Sequence, residues 1–168
     1  MKEIELSQGY VALVDDEDFE RCMASPKWYA AVVRFKDGSV RNVYAQCRVQ
    51  KPNGKYTTQQ IHRFIMDAKG IDHWDHNGLN NQRYNLRIAT IPQNGWNQGL
   101  SKVNVSGYKG VYWRKDIGKW VAQIEVNGKR IWLGAFVNVV DAANAYDVAA
   151  LKYYGEFALT NKAMAANA

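Results

Sequence analysis

Cysteine, proline and histidine are scarce in this chain: two, three and three residues respectively among 168. Cys22 and Cys47 form no C-x-x-C pair, which excludes a zinc knuckle or a dithiol redox motif and leaves two small buried thiols as the expectation. No stretch approaches the ~18 consecutive apolar residues of a membrane span. The first residues, MKEIELSQGY, lack the basic and apolar regions of a secretory leader. These absences predict a soluble, cytoplasmic protein with no membrane partner. What the chain has is aromatic side chains, 12% of residues with six Trp and ten Tyr, more than a disordered segment would carry.

Charge is unevenly placed. Residues 1–100 carry 13 Lys/Arg against 11 Asp/Glu, a net +2, whereas residues 101–136 alone carry 7 against 2, a net +5. A basic segment rich in Trp and Tyr suits phosphate neutralisation together with contacts to bases.

Three textures divide the chain. In residues 1–70, Asp15, Asp16, Glu17 and Asp18 fit the entry of a helix at about 16–23, where carboxylates meet the positive end of the dipole. Trp28–Phe35 and Val40–Val49 read as strands around a Lys36-Asp37-Gly38-Ser39 turn, and Gln59–Ala68 as a short helix. Residues 71–100 are rich in Asn, which favours turns and caps over regular structure. Ile71–Trp74 and Leu86–Ala89 read as strands, with a helix after Thr90. Residues 101–107 are a polar linker. Beyond it, Val111–Trp113, Trp120–Val126 and Arg130–Leu133 read as strands with a type I′ turn at Asn127-Gly128, and Val140–Tyr154 as one helix ended by Gly155. The fold class is α+β: residues 1–58 a strand-rich support, 59–100 a strand–loop–strand–helix core, 108–162 a three-stranded antiparallel sheet backed by one helix, and 163–168 a frayed tail.

The central segment carries the chemistry. Asp72-His73 sets a carboxylate and an imidazole on neighbouring strand residues, which face opposite sides of the pleat. With His62-Arg63, Asn80-Asn81, Asn85-Leu86-Arg87, Asn94 and Asn97, this stretch resembles the HNH nucleases of phages and mobile introns, whose ββα-metal motif has this order. The motif letters fall on His73, Asn85 and Asn94, at separations of 12 and 9 residues. The resemblance implies His73 as general base, Asn85 as the amide that ties the loop and orients the base, and Asp72 and Asn94 as ligands of one divalent ion, Mg²⁺ or Mn²⁺. A free imidazole, with a pKa near ~6.5, suits proton abstraction around neutrality, and hard oxygen donors suit those ions. Asp75-His76 offers a second pair, but its spacing to Asn85 fits the family less well. His62 is expected to pack beside the metal site, Asn97 to lie near it, and Arg83 and Arg87 to contact phosphate or stay in solvent.

The segment from about Ser106 to Asn161, with Tyr108-Lys109-Gly110-Val111, Gly118-Lys119-Trp120, Lys129–Phe136 and Ala142–Asp147, resembles the apetala-two/ethylene-response-factor DNA-binding domain. In that family the sheet enters the major groove of DNA. Carried over by position, Lys109, Gly110, Tyr112, Arg114, Gln123, Glu125, Arg130 and Trp132 fall on DNA-facing positions. Trp120 and Ala143 are expected to hold helix to sheet, and Tyr146 to do the same or to reach a phosphate. The combined expectation is a metal-dependent HNH endonuclease acting on double-stranded DNA, monomeric or homodimeric, without a small-molecule cofactor. The competing readings are a non-catalytic DNA-binding regulator and an RNA-directed protein.

Overall fold

The computed structural model describes residues 1–166 and divides the chain into two compact units, residues 1–91 and 92–168. In the first, β1 (Lys2–Glu5) pairs antiparallel with β2 (Val11–Val14), and α1 (Asp16–Met23) follows. The strands β3 (Tyr29–Arg34), β4 (Val40–Gln50) and β5 (Tyr56–Gln60) form an antiparallel sheet in that order. Then come α2 (Ile61–Met66) and the short antiparallel pair β6 (Ile71–His73) and β7 (Leu86–Ile88).

Alternation decides which sheet face is buried. Val43, Ala45 and Cys47 of β4 point into a core with Ala12, Val14, Cys22, Trp28, Ile61 and Ile65, while Asn42, Tyr44, Gln46, Arg48 and Gln50 face the other way. Both cysteines are free and buried, and burial pushes the Cys22 thiol up to about 11. The sole indole donor of this core is satisfied, since Trp28 Nε1 donates to the Cys22 carbonyl at 2.8 Å.

In the second unit, α3 (Ile91–Trp96) begins at the division. The sheet is ordered β10 (Lys129–Phe136), β9 (Lys119–Val126), β8 (Val111–Arg114), all antiparallel. It is backed by α4 (Val139–Tyr154), whose Ala142, Ala143, Ala149 and Ala150 let the helix lie close on the strands. Asn138 caps α4 by accepting from the Val140 N–H at 2.8 Å. The Asn127-Gly128 turn has positive φ at both residues, 51° and 74°, as a type I′ hairpin demands.

The structure departs from the sequence reading in four places. Tyr56–Gln60 is a strand, so the helix starts at Ile61 rather than Gln59. Lys2–Glu5 is also a strand. The tail expected to fray forms α5 (Asn161–Ala166), pinned where the buried Asn161 donates to Asp147 Oδ1 at 2.9 Å; residues 167–168 of that tail lie outside the described residues. Lastly, residues 92–100, which the sequence reading groups with the strand–loop–strand–helix core, pack within the second unit: Trp96 stacks on Tyr154 with ring centroids 4.4 Å apart. Among the described residues no helix is long and apolar enough to cross a membrane.

Candidate active site and nucleic-acid interface

The loop between β6 and β7 is organised by amides. Asn85, 1% exposed, accepts from the Asp75 backbone N–H at 3.0 Å and donates to Asp75 Oδ1 and to the Asn80 carbonyl, each at 2.8 Å. Asp75 thereby spends its carboxylate on the loop: Oδ1 also accepts from the Asn77 N–H and Oδ2 from Asn80 Nδ2. His76 sits at φ 64° in the turn, its carbonyl accepting from Asn42 Nδ2. The pair Asp75-His76 therefore shapes the loop. The loop is also pinned to β2, where Leu13 N–H donates to the Leu79 carbonyl and Asn81 N–H to the Leu13 carbonyl, each at 2.8 Å.

His73 is buried at the base of this loop, and burial lowers its pKa from the usual imidazole value. Its Nε2 lies 3.2 Å from Asn81 Oδ1. Asn81 Nδ2 donates to the Leu79 carbonyl, so Oδ1 is the atom turned to the imidazole, and the bonding pattern assigns the proton of neutral His73 to Nε2 and the lone pair to Nδ1. His62 packs edge-on against His73 at 4.9 Å between centroids; its Nδ1 is buried with no hydrogen-bond partner. Desolvation, then the neighbouring His73, pushes the His62 pKa down to about 3. Tyr44 completes an aromatic cluster, 6.0 Å from each histidine. From sequence Asn81 is named in the motif without a role and Tyr44 is not named; the pinning of the loop and the strand register bring them to His73.

Asp72 pairs with Arg87 across the two strands, the guanidinium donating to Asp72 Oδ2 from Nε at 2.9 Å and from the terminal nitrogen at 2.7 Å. Arg83 reaches α1 instead of the site: its guanidinium holds Asp18 at 2.7 and 2.8 Å, and its backbone N–H donates to Asp15. A phosphate clamp by Arg83 would have to break that fork. Asn94 and Asn97 lie in the second unit, Asn94 exposed on α3 and Asn97 buried just after it. Among the described residues no cluster of three or more His, Cys, Asp or Glu forms a ready metal cage. Within the first unit the Asp72 carboxylate is a hard oxygen donor of the kind suited to Mg²⁺ or Mn²⁺, which keep much of their shell as water and phosphate.

On the second unit, the sheet face turned away from α4 carries Tyr112 and Arg114 of β8, Gln123 and Glu125 of β9, and Arg130 and Trp132 of β10; the registers Arg130↔Glu125 and Trp132↔Gln123 put partners on one face. Two carboxylates temper its charge. Asp116 holds Arg114 through two 2.9 Å bonds, and Glu125 lies 3.8 Å from Arg130, all exposed. Lys109 is not on this face. Its half-buried ammonium donates to the Trp96 carbonyl and to the Gln98 carbonyl, the latter at 2.7 Å, and desolvation lowers its pKa to about 8. Gly110 and Tyr146 pack together: a Cβ on Gly110, at φ 73°, would come within 2.0 Å of the Tyr146 ring. Tyr146 is buried under the sheet, which raises the pKa of its hydroxyl.

Residues 106–156 match the AP2 domain. The chain is 51% identical over 61 residues to a putative AP2/ERF and B3 domain-containing protein of Oryza sativa subsp. japonica, covering 36% of this chain and 19% of that one. It is 42% identical over 60 residues to protein 3.8 of Escherichia phage T7, covering 36% of this chain and 50% of that one. A longer match, 37% identical over 113 residues, is to an uncharacterized HNH endonuclease of Acanthamoeba polyphaga mimivirus, covering 61% of this chain and 57% of the viral protein. The chain thus spans from about a fifth to somewhat over half the length of these relatives.

Proposed function

We propose that the chain is a metal-dependent HNH-type endonuclease that hydrolyses phosphodiester bonds in double-stranded DNA and is directed to it by the AP2 domain. The observation that carries this reading is His73: a neutral, buried imidazole in a rigid β6–loop–β7 unit, with Asn81 assigning its lone pair to Nδ1. That lone pair would take the proton of the attacking water, and Asn85 would hold the loop so that the imidazole does not have to reorganise.

Asp72 and Asn94 are the residues that would hold the divalent ion, Asn94 on the strength of the motif resemblance. Such an ion, when bound, stabilises the charge that builds up on the phosphate and on the leaving oxygen. Arg87 fixes the Asp72 carboxylate by donating to Oδ2 from Nε and from a terminal nitrogen. The open AP2 face supplies Tyr112, Arg114, Gln123, Arg130 and Trp132 to the duplex, the arginines by their planar forks. Lys109 serves as a cap on α3, and Gly110 and Tyr146 as packing residues. Tethering a reader to a cutter raises the local concentration of sites near the reader's target.

A second reading, a non-catalytic DNA-binding protein, is favoured by the same Arg87–Asp72 pair, because a guanidinium on the carboxylate competes with a cation. Incubation with supercoiled plasmid separates the two. Conversion to nicked or linear DNA in Mg²⁺, abolished by EDTA and by Asp72→Ala, is expected. Failure of the wild-type protein to cut any duplex in Mg²⁺ or Mn²⁺ would leave the binding protein.

A further inference from the structure

The first unit has a charge division of its own. Residues 1–26 carry two Lys/Arg against seven Asp/Glu, a net −5, whereas residues 27–60 carry seven against one, a net +6. The positive stretch is the sheet β3–β4–β5. Its inner face is the apolar core; beyond Tyr44 its outer face is exposed or half-buried and carries Gln46, Arg48 and Gln50 of β4 opposite Gln60, Thr58 and Tyr56 of β5, with Tyr29 of β3 beside Gln46. Arg48 and Tyr56 are exposed, the guanidinium 5.0 Å over the ring, and the turn beyond them adds exposed Lys51 and Lys55. At the other end of the same face, Tyr44 touches the His62–His73 pair, and the loop carrying His76 and Gly78 closes over Asn42.

We propose that this outer face is a second duplex-DNA surface, separate from the AP2 domain, along which the strand to be cut is laid toward His73. The chemistry on the face is what a duplex requires. Arg48, Lys51 and Lys55 neutralise phosphates at one end, and Gln46, Gln50, Thr58 and Gln60 present amides and a hydroxyl to base and sugar edges. The apolar Ala31 and Val33 of β3 lie at the Tyr44 end of the face; on its β4–β5 half an apolar partner would meet a row of glutamines, and an acidic peptide would use the cations but leave that row unpaired. From Tyr44 to Gln50 the strand advances about 20 Å, the rise of about six base pairs. Both ends of the face lie in residues 1–91, so the surface and the candidate base belong to one compact unit.

The choice of duplex DNA as ligand rests on the nuclease reading, whereas footprinting without metal reads binding alone, so failure of cleavage and failure of this surface are separable. The full chain is bound in EDTA to a duplex carrying a site selected by the wild-type protein, and hydroxyl-radical footprints are compared with those of the triple variant Arg48→Gln, Lys51→Gln, Lys55→Gln. The three side chains are exposed, and unchanged thermal unfolding checks that the variant is folded. The wild-type footprint should contain a stretch of about six base pairs that the variant loses while the rest of the footprint persists. The slope of log affinity against log salt should become shallower by about 2–3. Identical footprints and slopes for the two proteins would overturn the proposal. So would a dependence on these cations seen with RNA or single strands but not with duplex DNA.

Discussion

Replacing Asn85 by Ala should cost the first unit about 3–5 kcal/mol. The side chain is 1% exposed and makes three bonds: one from the Asp75 backbone N–H, one to the Asn80 carbonyl, and one to the Asp75 carboxylate. A neutral buried bond removed from one side costs about 1 kcal/mol and a charged one about 1.5–3 kcal/mol. A unit of this size holds about 5–14 kcal/mol in total, so the variant should fold but lose much of its margin. The damage should be local first. The Asp75 amide, protected by Asn85 Oδ1, should exchange with solvent far faster in the variant, as read by hydrogen exchange, with the urea midpoint of the unit falling in parallel. Asn85→Asp sharpens the test. Its shape is conserved and it can still accept from Asp75 N–H, but its second oxygen would face the Asn80 carbonyl and Asp75 Oδ1, both acceptors. At pH 7 it should be at least as destabilised as Asn85→Ala, and it should recover as the pH is lowered toward the carboxyl range. An Asn85→Ala variant within about 0.5 kcal/mol of wild type, with the Asp75 amide still protected, would refute the claim that this amide holds the loop.

Two further outcomes follow from burial. His62 has a pKa of about 3 in the folded protein against 6.5 for a free imidazole, so between those values the unfolded chain binds a proton that the folded one does not. Stability from this group is complete above pH 6.5 and declines as the pH falls toward 3, by up to about 5 kcal/mol; the decline should be smaller in His62→Phe, compared by urea unfolding at pH 7 and pH 4.5. On the second unit, residues 92–168 should melt at a higher temperature than residues 104–168, because the shorter piece lacks the Trp96–Tyr154 stack and the bonds from Lys109 to the Trp96 and Gln98 carbonyls. Equal melting temperatures would mean that α3 adds nothing to the AP2 unit.

The elements that the sequence discloses are those with local causes. The Asn127-Gly128 hairpin, the acidic entry to α1 and the Asn138 cap of α4 each follow from the preference of one or two residues. Tyr56–Gln60 shows why others stay hidden: five residues without an aliphatic side chain become a strand because β4 offers its free edge. The site divides the same way. Asp72, His73 and Asn85 stand out by type and spacing, and they meet through one two-stranded unit. Asn81 and Tyr44 reach His73 only because the loop is pinned to β2 and β4 runs beneath it, contacts between residues far apart in sequence. Lys109 reads as a surface cation, yet the carbonyls at the end of α3 draw it inward.

The central claim is that His73 performs the chemistry while other residues hold the DNA. The most direct measurement is Mg²⁺-dependent cleavage of a plasmid by His73→Ala, beside its affinity for the same duplex in EDTA. Because the base acts as the transition state forms, the account predicts cleavage lost by at least ~100-fold with affinity unchanged within about twofold. Cleavage by His73→Ala at the wild-type rate would contradict it.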